Sequence, residues 1–133
     1  PSGKVLAVDV QPEMVAMLRK AAQQEGLRNV EPSLGTETDV QLAPGSVDLA
    51  IMVDVYHELS FPHEVLASIV RSLKPGGQLV FVEYRAEDAK VPIKALHKMS
   101  EAQIRQEAQV HPLEWQRTDR RLPWQHVVVF RKR

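Results

Sequence analysis

The stretch from Pro44 to Tyr84 constrains the fold more than any other. Val47-Asp48-Leu49-Ala50-Ile51-Met52-Val53 is a nearly continuous apolar run, and Gln78-Leu79-Val80-Phe81-Val82 is a second. Apolar runs without alternation predict parallel strands covered on both faces. Between them Val65, Leu66, Ile69, Val70 and Leu73 recur at helical spacing and form one apolar stripe. Lys74-Pro75-Gly76-Gly77 then stops the helix. Pro75 cannot continue it, and glycine permits the left-handed turn back to the sheet. Strand, helix and parallel strand in this order make a right-handed β-α-β crossover.

The rest of the chain extends that pattern. Lys4 to Val10 reads as a strand whose buried run is Val5 to Val8. Pro12 and Glu13 suit the first turn of a helix. Met14, Val15, Met17, Leu18, Ala21 and Ala22 form its apolar face, and Gly26 closes it. Asn29 to Leu34 is a weak strand containing Pro32, which belongs on a sheet edge. Arg85 to Met99 is polar, carries Pro92 and reads as an ordered loop. Ser100 and Gln103 have the spacing of a capping box, with Met99 and Ile104 placed as a hydrophobic staple. That helix runs to about Gln109 and ends at His111-Pro112. Leu113 to Leu122 and Gln125 to Arg131 read as an antiparallel hairpin joined through Pro123-Trp124.

VDLAIMVDVYHEL, a helix, and then LKPGGQLVFVEY resembles the second half of class I S-adenosylmethionine-dependent methyltransferases of the small-molecule type. The likeness extends over nearly the whole chain, residues 1–133. It implies an α/β fold, a Rossmann-like doubly wound, mostly parallel sheet with an antiparallel last strand. The strand order it implies is 3-2-1-4-5-7-6. The family's glycine-rich loop follows its first strand, and this sequence contains no G-x-G-x-G. Its opening, Pro1-Ser2-Gly3-Lys4, is similar to the loop that enters the family's second strand. The expectation is therefore an N-terminally truncated domain, missing the first strand, the glycine loop and the first helix. That strand would lie between Val5–Val10 and Val47–Val53. Its loss would make those two pair directly, recruit another chain or a second copy into the gap, or leave the chain poorly folded.

Composition removes several alternatives. Among 133 residues, Lys and Arg total 17 and so do Asp and Glu, so the net charge of zero calls for neither nucleic acid nor an anionic membrane. The basic tail Arg131-Lys132-Arg133 reads as a solvated chain end. The absence of cysteine excludes disulfides and thiolate metal sites and fits a cytoplasmic protein. No apolar run approaches the length of a membrane span.

The candidate site residues follow from the resemblance and from position at strand ends. Asp9, ending the first strand before Val10, is implied to accept hydrogen bonds from the ribose hydroxyls of S-adenosylmethionine. The alternative is a solvated Asp capping the next helix. In Gly35-Thr36-Glu37, Thr36 stands where the family often has an acidic residue for adenine, and Glu37 follows it. Val53 and Asp54 are implied to line the cofactor pocket. His57 is a candidate base or acceptor-orienting residue, and Tyr84 a second catalytic candidate. Arg85, His97 and His126 are candidates for acceptor binding. His57-Glu58 with His63 departs from the H-E-x-x-H spacing that puts two imidazoles on one helical face, so no metal is expected. The reading is methyl transfer to an unidentified small-molecule acceptor, or a truncated remnant of an enzyme that performs it. The alternatives are an NAD-type nucleotide domain and a non-enzymatic fragment or interaction module.

Overall fold

The computed structural model describes residues 2–133, which divide into two units, up to Gln41 and from Leu42 onward. In the first unit, β1 (Val5–Asp9) leads through α1 (Pro12–Gln24) to β2 (Val30–Leu34), and the two strands pair in parallel. The end of α1 forms the two bonds of a Schellman motif. Gly26 donates to the Gln23 carbonyl at 3.2 Å, and Leu27 donates to that of Ala22 at 2.8 Å. Gly26 has φ +66°, which glycine adopts without steric cost. The apolar face is narrower than its periodicity predicts. Val15 and Ala22 are buried, whereas Met14 and Met17 are exposed.

The second unit is built on a sheet of order β3-β4-β7-β6, comprising β3 (Val47–Val53), β4 (Leu73–Arg85), β7 (Gln125–Lys132) and β6 (Leu113–Asp119). β3 and β4 are parallel, and β7 runs antiparallel to both β4 and β6. This is the order and direction expected of the family's 4-5-7-6 strands. A short β5 (Lys98–Met99) pairs with the end of β4, inside the segment expected to be loop. Each unit thus carries its own sheet, β1-β2 in the first and β3-β4-β7-β6 with β5 in the second.

The crossover helix α2 (Pro62–Ser72) buries the predicted stripe, with Val65, Leu66, Ile69, Val70 and the following Leu73 all inside. Its serines at 68 and 72 are buried too, and each donates to the carbonyl three residues back. The helix stops at Ser72, before the LKPGG turn, and Leu73 is already extended. The turn is a bulge in the β3–β4 register, between Val47↔Leu73 and Leu49↔Gln78. Gly77 is required there: a Cβ would lie 2.9 Å from the Lys74 carbonyl oxygen and 3.2 Å from that of Asp48.

The sequence predicts β3 to be covered on both faces. Instead Leu49, Ile51 and Val53 are exposed, and Met52 alone of the run is buried. Within its unit β3 pairs on one side only, with β4, so the strand is an edge. The tail also differs from a solvated end. The Lys132 ammonium donates to the carbonyls of Val70 at 2.6 Å and Leu73 at 2.7 Å, capping the C-terminus of α2.

The last helix, α3 (Glu101–Ala108), starts as predicted. The Ser100 hydroxyl accepts from the Gln103 amide at 3.0 Å, a cap worth about 1 kcal/mol. The reciprocal arm of the box is unmade, because the Gln103 side chain turns to Glu107. Met99 and Ile104 are both buried, as a staple requires. Among the described residues no helix is long and apolar enough to cross a membrane.

Candidate functional site

In the second unit, Asp54, His57, Glu58, Tyr84, Ile93 and His97 line one open cleft of about 310 Å³. The cleft lies where β3 and β4 end, with a 3-10 turn at Tyr56–Glu58 and another at Ala95–His97. Parallel strands present their carboxyl ends together, and the connecting loops build sites there.

Its organising contact is buried. Glu83 is fully enclosed near the end of β4, and its Oε2 lies 2.7 Å from His57 Nδ1. The same carboxylate accepts from the His57 backbone N–H at 3.2 Å. Burial pushes the Glu83 carboxyl above the usual carboxylate range, while the bonds from His57 pull it back and the Asp54 charge adds to the rise. With Nδ1–H donated to Glu83, the imidazole keeps its lone pair on Nε2. Nε2 lies 3.7 Å from Glu58 Oε1, and the His97 ring stands edge-on to that of His57 at 5.4 Å.

Two neighbours fix this arrangement. Tyr56 is buried and donates to Glu107 Oε2 at 2.6 Å. Burial first, then that bond and the charges of Glu107 and Glu83, push its phenol far up, so Tyr56 stays a proton donor. Asp54 follows β3 directly with φ +53°, a strained conformation for a residue with a side chain. Its Oδ2 accepts from the Gln125 amide at 2.6 Å. Its Oδ1 is buried without a partner among the described residues.

The structure thus brings together four predicted residues, Asp54, His57, Tyr84 and His97. Val53 leads into the cleft from β3, with its side chain exposed. Two others are committed elsewhere. The Arg85 guanidinium donates to the carbonyls of Leu122, Pro123 and Gln125, clamping the hairpin loop. His126 is fully buried and its Nε2 lies 2.9 Å from the Met99 carbonyl oxygen, so it presents no surface to a ligand.

Burial lowers the affinity of His126 for a proton, with Arg85 adding to the effect and Glu87, Glu101 and the Met99 bond opposing it. His111 is lowered likewise, by burial and then by His63. Both favour the neutral ring in the folded state, so the stability they contribute is full above the unfolded value of about 6.5. It is lost as pH falls from there through the depressed folded values. Glu83, raised, opposes this: its contribution is full below the unfolded carboxylate value and is lost as pH rises through its folded one. Urea titrations between pH 5 and 7 separate the two. His126→Gln should flatten the slope of stability against pH by up to about 1.4 kcal/mol per pH unit, the linkage of one proton. An unchanged slope would mean that His126 protonates in the folded state as readily as in the unfolded one.

In the first unit, Asp9 Oδ1 accepts from the Gln11 amide at 2.8 Å. This is an Asx turn ahead of α1, whose N-cap is Gln11 and which has no side-chain cap, so Asp9 does not cap the helix as the alternative reading had it. The other carboxylate oxygen has no partner among the described residues, so the turn leaves half the carboxylate for a ligand. Val10 follows, exposed. The Gly35 amide donates to the Asp9 carbonyl at 2.9 Å, holding the next loop against the strand end. Thr36 spends its hydroxyl inside that loop, accepting from Asp39 N at 3.0 Å. Glu37 is exposed.

Sequence reasoning missed Glu83 as the partner of His57, and Glu107 as that of Tyr56. The signal for Glu83 was present. It shares strand parity with Leu79 and Phe81, which are core, and a buried carboxylate requires a partner.

Residues 2–81 match a family described as a methyltransferase domain. A 37.1 kDa uncharacterized protein in a transposon of Streptomyces fradiae is 39% identical over 83 residues, 62% of this chain and 24% of that protein. An uncharacterized methyltransferase-like protein of Schizosaccharomyces pombe is 35% identical over 89 residues, 67% of this chain and 32% of that one. The chain thus spans a quarter to a third of these relatives. Among solved structures, a SAM-dependent methyltransferase from Aquifex aeolicus superposes with a TM-score of 0.89 at 27% identity, covering 97% of this chain and 69% of that one. The chain therefore belongs to the methyltransferase domain family, with S-adenosylmethionine as the cofactor that membership implies.

Proposed function

We propose that residues 1–133 act as part of a class I methyltransferase domain that transfers a methyl group to a small molecule held in the His57 cleft. When bound, S-adenosylmethionine supplies the activated methyl group on its sulfonium sulfur. The chain's own residues bind, orient and exclude water. In the first unit, Asp9 offers its second carboxylate oxygen to the ribose, and Glu37, exposed in the loop after β2, is the acidic side chain assigned to adenine. In the second unit, the family resemblance implies cofactor contact by the backbone at Val53 and Asp54. The observation that carries the reading is the buried His57–Glu83 pair, which leaves Nε2 free on a ring that lines the cleft. A ring held in one tautomer is ready to accept a hydrogen bond, and then a proton, from an acceptor hydroxyl. Tyr84 lines the same cleft and supplies a second polar contact. About 310 Å³ is the scale of a small-molecule site.

Calorimetric titration of the chain with S-adenosylmethionine, and separately with NAD, tests the proposal. Binding of the first and not the second is expected. Asp9→Ala should weaken that binding by about 1.5–3 kcal/mol, the range for hydrogen bonds to a charged group. Asp9→Asn keeps the bond to Gln11 and controls for loss of that turn. Equal affinity in all three proteins would remove Asp9 from the site, and binding of NAD instead would overturn the reading.

A further inference from the structure

The cleft holds more donors than methyl transfer requires. His57, Glu58 and His97 each offer one ligand atom, and these atoms all lie within 4.8 Å of one another. The spacing of His57, Glu58 and His63 gives no sign of this. The third group comes from a separate turn, and only the fold delivers it.

We propose that His57 Nε2, a Glu58 carboxylate oxygen and a His97 ring nitrogen form a Zn²⁺ site at the mouth of this cleft. Four observations support it. The donor set, two imidazoles and one carboxylate, is a zinc set that leaves a fourth tetrahedral position open. The distances suit it. Ligands at about 2.0–2.2 Å from zinc stand about 3.3–3.5 Å apart in a tetrahedron, and His57 Nε2 is already 3.7 Å from Glu58 Oε1. The remaining approach falls to Glu58, whose side chain is 64% exposed, and to His97, which sits on a short turn. Next, His57 already has the outer partner that metal-binding histidines use. Its Nδ1 is bonded to a buried carboxylate, which fixes the tautomer, turns the ring and makes Nε2 more basic. Finally, the Asp54 oxygen buried without a partner lies on an acidic residue of the same cleft wall. A nearby cation offsets the cost of that carboxylate and of Glu83.

The Nε2 lone pair that would hold zinc is the one assigned above to the acceptor's proton, so in a zinc-loaded cleft the metal, which acidifies an oxygen bound to it, would take over from His57 as base. In that respect the inference rests on the proposed function, but zinc binding stands without it. The test therefore uses neither S-adenosylmethionine nor acceptor. The purified chain is freed of metal with a chelator, dialysed and titrated with Zn²⁺ by calorimetry. Co²⁺ is added in parallel as a spectroscopic probe. One equivalent of Zn²⁺ should bind, and Co²⁺ should give the visible bands of a tetrahedral site. His97→Ala and Glu58→Gln alter side chains away from the core and should each weaken Zn²⁺ binding at least tenfold, with circular dichroism unchanged. Absence of stoichiometric binding would overturn the site. So would full affinity in both variants, since any zinc then bound would sit elsewhere, for example at the His63–His111 ring pair. Zinc binding without S-adenosylmethionine binding would uphold this site while the functional reading fails, and the reverse result would do the opposite.

Discussion

Phe81→Ala should remove most of the cooperative stability of the second unit. Phe81 is fully buried in β4, and its ring meets Tyr56 edge-on at 5.0 Å and Phe130 edge-on at 5.6 Å. Truncating a buried Phe to Ala costs about 3–5 kcal/mol through lost transfer energy and the cavity left behind. Edge-to-face pairs add about 0.5–1.5 kcal/mol each, so the upper part of that range is expected. Whole domains are stable by only about 5–15 kcal/mol. The effect also reaches the site, because Tyr56 precedes His57 and loses the ring that positions it. Urea unfolding followed by circular dichroism should show a large fall in midpoint with little change in slope, the sign of lost stability rather than altered compactness. Val80→Ala, on the opposite face of the strand among Val82, Val127 and Val129, is the comparison and should cost less. Equal losses would mean that the aromatic cluster contributes nothing beyond ordinary burial.

The elements legible in the sequence are those whose cause is local. The stripe of α2 is a matter of period, the glycine at the end of α1 of allowed φ, and the Ser100 cap of one side chain reaching one amide. Each involves residues within a few positions of one another. The hairpin was legible too, because β6 and β7 are close in sequence and end in turn residues. Where the reading departs from the structure, the cause is long-range. Whether Leu49, Ile51 and Val53 are covered depends on what pairs beside β3, and an apolar run says nothing of that. Lys132 caps a helix some sixty residues earlier, so a basic chain end looked merely solvated. The site divides the same way. His57 and Tyr84 stood out at strand ends, where the resemblance placed function. The partner of His57 and the approach of His97 depend on β4 and on a loop that has no periodicity to read. Arg85 was chosen for its place at a strand end and His126 for its chemical type, and the fold uses the first to hold its own backbone and the second to fill its core.

Glu83 is where stability and site chemistry meet, and substitutions there should separate the two. Its carboxylate accepts from two groups of His57, the ring Nδ1 and the backbone N–H. Glu83→Ala leaves both donors without an acceptor in a place that water does not reach, and each such group costs about 1–3 kcal/mol. His57 escapes part of that penalty by taking the other neutral tautomer, with its proton on Nε2. A total loss of about 3 kcal/mol is therefore expected by urea unfolding. Glu83→Gln keeps the shape and one acceptor oxygen, so its loss should be about half of that. The site should respond differently. The glutamine retains an oxygen but carries no charge, and so no longer raises the basicity of Nε2. Changes to the outer partners of metal-bound histidines lower metal affinity about 10–100-fold. Glu83→Gln should therefore bind Zn²⁺ at least tenfold more weakly than the parent while remaining folded. If instead the variant loses stability and keeps the parent's Zn²⁺ affinity, Glu83 serves only to hold the turn at His57.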